Sequence, residues 1–287
     1  MAVLADHDDP EWRVLNRANW NERVGVHVRS KFYDLAGLRA GRGRLYAIEE
    51  AELGSVQGLR LLHLQCHFGA DTLTLAQRGA RVVGLDFSAS AIAKARELAK
   101  ELGLEDRAQF VEADIYDAPA TPLERHSFDL VYATWGTLCW LPDVRRWAEV
   151  AAHFLKPGGA LYLADGHPAV YVLDDAARTV DGMPGYYVPY FQREPLHLDD
   201  PRDYADASAR LQSSKTVQWM HSLGDIVTAV IEARLRLEWL HEHEAVPWRM
   251  FQTLRTDAAG MFRWPEKSWL PLSFSLRARK PKTGAGD

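Results

Sequence analysis

The sequence predicts an α/β fold, a doubly wound and mostly parallel sheet of seven strands with an antiparallel C-terminal edge strand. Three observations carry this reading. From residue 58 to 165, short apolar runs alternate with helix-period segments at the close spacing of β-α-β units. Those helical segments are punctuated by cap and stop residues. Near the end, Leu270, Leu272, Phe274, Leu276 and Ala278 alternate strictly with Pro271, Ser273, Ser275, Arg277 and Arg279, which marks a strand with one buried face.

Residues 59–65 (LRLLHLQ) are apolar between polar flanks and predict the first buried strand. A short helix over 71–79 follows, with Asp71 as N-cap and Gly79 as its stop. Residues 81–87 (RVVGLDF) are β-branched and apolar, a second strand. From Ser88, the positions Ile92, Ala95, Ala99 and Leu102 fall at helical spacing, and Gly103 ends the run. Residues 109–113 and 128–134 supply strands three and four. Val144, Trp147, Ala151 and Leu155 mark the next helix, closed by KPGG at 156–159, and 160–164 form strand five. Ligand is expected at the carboxyl ends of these strands. Beyond Asp165 the rhythm breaks. Residues 168–201 hold five of the fourteen prolines, and an irregular segment of that length reads as a lid or binding loop. Residues 216–221 have the makings of a strand, 225–233 of a helix, and Leu235, Leu237 and Trp239 alternate as a strand that would pair with the last one.

Composition narrows the function classes. Of the 287 residues 47% are hydrophobic and 25% charged, which suits a packed globular protein. No apolar run approaches the roughly 18–20 residues that span a bilayer. The acidic start, MAVLADHDDPEW, lacks the apolar region of a secretory signal. Two cysteines, Cys66 and Cys139, cannot make a disulfide framework, so a cytoplasmic protein is expected. A net charge of −5 gives no field for a polyanion, and no nucleic-acid partner is expected.

The passage from 61 to 88 carries the chemistry. A strand ending beside Gly69 and leading into a helix aims backbone N–H groups at a ligand. Asp86 closes the second strand, where a carboxylate can accept hydrogen bonds from both hydroxyls of a ribose; it also reads as a strand-end helix cap. The dinucleotide fingerprint G-x-G-x-x-G is absent, with Gln65, Cys66, His67 and Phe68 before Gly69. A pyrophosphate-free nucleoside is the better match. Cys66 and His67 lack further ligands at metal spacing, so a loop role is read for them and no metal is expected.

These residues resemble the class I S-adenosylmethionine-dependent methyltransferases, in register over 58–165 and more loosely through the last strand pair. The loop is similar to that of a bacterial subgroup with an HLQCHFG-like sequence, here HLQCHFGADTL. The resemblance implies a Rossmann-like fold and S-adenosylmethionine as cofactor, with S-adenosylhomocysteine as product. It implies that Gln65, Cys66, His67 and Gly69 cradle the methionine end, with Asp71 and Thr72 following, and that Asp86 holds the ribose. Phe87 and Ile115 would pack on the adenine and Asp114, in EADIYD, would meet its amino group, with Asp117 as competitor; Ser88 and Trp135 complete the set. Trp20 and Tyr33, from the N-terminal segment, are expected over the methionine end. The FDLVYATWGTLCWL and KPGG stretches fit the pattern, whereas His63 stands where many members have an acid, and Gln65 and His67 where they have glycine.

A sulfonium methyl is already activated, so an enzyme of this kind mainly aligns the acceptor and excludes water. For a hydroxyl or ammonium acceptor a base is also required, and His167 and His221 are the candidates. Trp140, Asp165, Trp219 and Trp248 are expected on the acceptor side, while His241 and His243 share a strand face and read as surface residues. Trp147, on an apolar helical stripe, reads as core. No tryptophan lies between Asn21 and Thr134; the aromatics gather where an acceptor should bind. The expectation is methyl transfer to O, N or C of a small molecule by a monomer or homodimer. The rivals are a protein or nucleic-acid methyltransferase, and a cofactor-binding subunit without transfer activity. The place after strand four reads ATWGTLCW, not the Asp/Asn-Pro-Pro-aromatic motif of amino-methylating DNA enzymes, and Arg39, Arg42 and Arg44 make only a small basic cluster. The expected division is 1–57 as helical cap, 58–165 as cofactor half, 166–281 as substrate-side insertion plus final strands, and 282–287 as frayed tail.

Overall fold

Five parallel strands form at the apolar runs: β1 (Arg60–Leu64), β2 (Arg81–Asp86), β3 (Ala108–Glu112), β4 (Phe128–Thr134) and β5 (Leu155–Gly166). With β6 (Arg236–His243) and β7 (Ser273–Arg279) they make one sheet in the order β3-β2-β1-β4-β5-β7-β6. β7 runs antiparallel to both β5 and β6, which sets the antiparallel pairing at that edge. The computed structural model describes residues 10–179 and 181–282. The tail expectation from 283 onward, and the acidic stretch 1–9, lie outside the described residues.

Alternate strand residues face opposite sides, and both sides are covered. Leu62, Leu64 and Val131 pack with Trp147 of α6 (Val144–Phe154) and Ile226 of α7 (Leu223–Glu232). Leu61, Val82 and Leu130 pack on the other face with Leu73 of α4 (Ala70–Gln77) and Ile92 of α5 (Ala89–Glu101). Burial on both faces is why these strands read as continuous apolar runs. Among the described residues, α1 (Glu11–Arg29), α2 (Leu35–Arg39) and α3 (Ala47–Glu52) precede the sheet.

Three local expectations are corrected. Gly69, not Asp71, is the N-cap of α4, at φ +77 with no side-chain cap; Asp71 falls inside the first turn. β5 starts at Leu155, not 160: Phe128 pairs with Leu155 and Leu130 with Ala160, so 156–159 bulge outward with Gly158 at φ +82. The strand read at 216–221 spans Lys215–Gln218 and stays out of the main sheet, pairing antiparallel with Leu196–Asp199. Its other side docks on α1, where the buried Asn16 amide donates to Val217 O at 2.8 Å and accepts from Val217 N at 2.8 Å, taking the place of a neighbouring strand. A three-stranded patch over 245–263 packs around Val246, Phe251 and Trp264.

Candidate functional site

The strand order turns back between β1 and β4, and there, at the carboxyl ends of the strands, lies a cavity of about 300 Å³. Gln65, Cys66, His67 and Gly69 line it from the loop after β1, and Asp71 from the start of α4. Asp86 and Phe87 enter from β2, Asp114 and Ile115 from beyond β3, and Trp135 and Trp140 from beyond β4. Trp20 of α1, Tyr33 and Trp248 close it. Fourteen expected residues from seven segments thus meet in one cavity.

Six do not line it, and each has a structural reason. Thr72 is buried beneath, its hydroxyl 2.8 Å from His63 Nδ1. Ser88 caps α5, accepting from Ala91 N at 3.1 Å. Asp165 turns its carboxylate onto the backbone N–H groups of Gly136, Thr137 and Leu138 at 2.6, 3.0 and 3.1 Å, holding the loop that carries Trp135. His167 is 5% exposed; its Nδ1 accepts from Ala169 N at 3.1 Å and its Nε2 lies 3.0 Å from Glu242 Oε1. His221 donates from Nε2 to Leu141 O at 2.7 Å. Trp219 packs edge-on against Trp12 at 5.4 Å, behind that residue and not on the cavity surface. The two histidines expected as bases are therefore used in folding the loops behind the site.

Burial governs the charges. Asp86 is 7% exposed; its Oδ2 accepts from His67 N at 2.8 Å and its Oδ1 from Ser88 N at 2.9 Å. Desolvation nonetheless pushes its pKa up to about 6. Asp71 is raised to about 6 by the same cause, and the buried His63 is lowered to about 3. Burial also pushes the Cys66 thiol up, so it stays neutral. Asp114 is raised by burial; its Oδ1 accepts from Tyr116 N at 2.9 Å and its Oδ2 lies 3.0 Å from Arg13 Nε. Its competitor Asp117 is exposed, 3.1 Å from Arg13 Nη1.

The loop after β1 is bent by left-handed residues: Gln65 at φ 55, His67 at φ 51 and Gly69 at φ 77. Holding non-glycine residues there costs roughly 1–2 kcal/mol each, which argues that their side chains are used. Gln65 Nε2 donates to Thr137 O at 2.9 Å, while Gln65 Oε1 and His67 Nδ1 are buried without a partner among the described residues.

Sequence reasoning missed Trp12, Phe32, Tyr46, Tyr171 and Tyr204, which also line the cavity. They come from segments without strand rhythm, and the only signal for them was the aromatic richness of the flanks.

Residues 61–159 match the family model described as a methyltransferase domain. Methyltransferase GfsG of Streptomyces halstedii is 32% identical over 147 residues, covering 50% of this chain and 49% of that protein. The tRNA 5-carboxymethoxyuridine methyltransferase of Escherichia coli (strain K12) is 32% identical over 116 residues, covering 39% and 42%. The chain spans about half the length or less of these curated relatives. An S-adenosylmethionine dependent methyltransferase from Mesorhizobium loti shares the fold at a TM-score of 0.56 and 24% identity, over 81% of this chain and 95% of that one.

Proposed function

We propose that this chain, whose residues 61–159 match a methyltransferase domain, is a class I S-adenosylmethionine-dependent methyltransferase that transfers the methyl group to an oxygen, nitrogen or carbon atom of a small molecule. The observation that carries this reading is the cavity at the strand switch point, with a buried acid on one side and aromatic walls on the other. Its residues fit the cofactor. Asp86 keeps acceptor capacity beyond its two backbone N–H partners, as a ribose diol requires. The unpartnered Gln65 Oε1 and His67 Nδ1 are acceptors that suit an amino group. Phe87 and Ile115 offer apolar surface for a purine.

When bound, S-adenosylmethionine supplies a methyl group on a sulfonium, open to in-line displacement. The chain's own part is alignment and exclusion of water. In this reading Asp86 and Asp114 orient the nucleoside, and Trp20 and Tyr33 shield the amino-acid end. Trp135, Trp140 and Trp248 form the acceptor wall, against which a planar or apolar molecule packs. Trp12 and Trp20 of α1 and Trp248 add aromatic wall to a cavity of about 300 Å³, a size that favours a small acceptor over a polymer.

Calorimetric titration with S-adenosylhomocysteine tests the reading. The wild-type chain is expected to bind, and Asp86→Ala to bind about tenfold more weakly or worse, on the worth of hydrogen bonds to a charged group. No binding by the wild type would overturn the cofactor assignment, and equal binding by the variant would overturn the role of Asp86. Radiolabelled methyl transfer to a small-molecule panel, with bulk tRNA alongside, distinguishes the acceptor classes.

A further inference from the structure

Three side chains distant in sequence form a continuous buried chain that ends at the cavity. Asp203 Oδ2 lies 3.0 Å from His27 Nε2, and His27 Nδ1 lies 2.8 Å from His67 Nε2. His27 is fully buried and Asp203 is 4% exposed. The far nitrogen of His67, Nδ1, is buried with no hydrogen-bond partner among the described residues, and His67 lines the cavity.

The hydrogen-bond inventory gives this chain a direction. Asp203 is saturated as an ionised acceptor: Oδ2 also takes Arg23 Nη1 at 2.8 Å, and Oδ1 takes Ala205 N at 2.7 Å and Asp206 N at 3.3 Å. Arg23 and His27 hold its pKa below the ordinary carboxylate range against the effect of burial. A carboxylate only accepts, so the His27 proton must sit on Nε2. A neutral His27 then has a bare Nδ1, which only accepts, so the His67 proton must sit on its own Nε2. That leaves His67 Nδ1 as a bare lone pair. Burial lowers the pKa of both rings, which keeps them neutral.

We infer that the Asp203–His27–His67 chain locks His67 in one tautomer, so that its Nδ1 accepts a hydrogen bond from an N–H or O–H donor of the bound cofactor. Asp203 and His27 are positioning residues; His67 is the contact. The inference rests on the cavity being the S-adenosylmethionine site. It explains why a histidine occupies a left-handed position at φ 51 that glycine would hold without strain. It also ties cofactor capture to α1 and to the loop at 203, because the His67 ring is oriented through a residue on each.

Nitrogen-15 spectra of the full chain with labelled histidine read the tautomers directly. His67→Gly identifies the His67 signals, and the substitution favours the local backbone. Both His27 and His67 are expected as the Nε2–H form at neutral pH. His27→Leu removes the lock, whereas His27→Gln can still donate to Asp203 and accept from His67. Titration with S-adenosylhomocysteine should therefore weaken about tenfold in His67→Gly and His27→Leu and recover in His27→Gln. Adenosine as a second probe separates the donors: loss for S-adenosylhomocysteine alone points to the amino group, and loss for both points to the ribose. An Nδ1–H tautomer at His67, or unchanged affinity in both deletion variants, overturns the inference. If the wild type binds neither probe, the cofactor reading fails, and the free-state tautomer still decides the lock.

Discussion

Glycine at position 69 meets two demands at once. Its φ of +77 turns the loop after β1 into α4, and a Cβ there would fall 2.6 Å from Phe110 Cε1 and 3.1 Å from the Ala95 Cβ. Both the backbone and the packing therefore exclude a side chain. Gly69→Ala is expected to cost about 2–3 kcal/mol in urea unfolding, from left-handed strain together with overpacking. A loss under about 0.5 kcal/mol would show that β3 yields easily. At this scale the legibility of the sequence depended on how local a residue's task is. Asp86 was readable because a carboxylate at a strand end, two residues from a helix, has few geometries open to it. His167 was not, since its neighbour Glu242 lies on β6, far along the chain. For His67 the loop was readable but the partners were not, because they sit on α1 and in an irregular segment.

Among the elements, α3 is joined to the sheet through acids and tyrosines. Tyr132 of β4 donates to Glu49 Oε1 at 2.7 Å, Tyr162 of β5 donates to Glu52 Oε2 at 2.9 Å, and Glu49 Oε2 accepts from Tyr46 N at 3.1 Å. Glu49 is fully buried, and desolvation first, then Asp71, raises its pKa from 4.5 to about 8. The folded state thus holds a proton that the unfolded chain releases near 4.5. Stability must fall as pH rises from about 4.5 to 8, the reverse of a salt-bridged acid. Glu49→Gln imitates the protonated acid, so its stability relative to the wild type should grow by a few kcal/mol between pH 5 and 9, followed by the urea midpoint. A constant difference across that range would mean the carboxyl ionises freely. Elements with two buried faces, β1, β2 and β4, were legible within one or two residues. Lys215–Gln218 was legible only as an extended piece, because its neighbour on one side is the Asn16 amide of α1, a pairing that no hydrophobic period encodes.

At the scale of the whole molecule, the sheet supplies a floor and the flanking segments supply walls. The floor was readable because β-α-β units repeat, whereas the walls join residues separated by half the chain or more. The uneven placement of tryptophan follows the same division. Five of the ten, Trp12, Trp20, Trp135, Trp140 and Trp248, line the cavity, and none belongs to β1, β2, β3, α4 or α5. The molecule therefore carries its own optical reporter, with half of the emitters gathered around the ligand space and none on β1, β2 or β3. Adding S-adenosylhomocysteine should change the indole emission in intensity and colour without any label, and Trp20→Phe should remove a measurable part of that change. An emission spectrum indifferent to saturating ligand would mean that the walls do not touch what the floor binds.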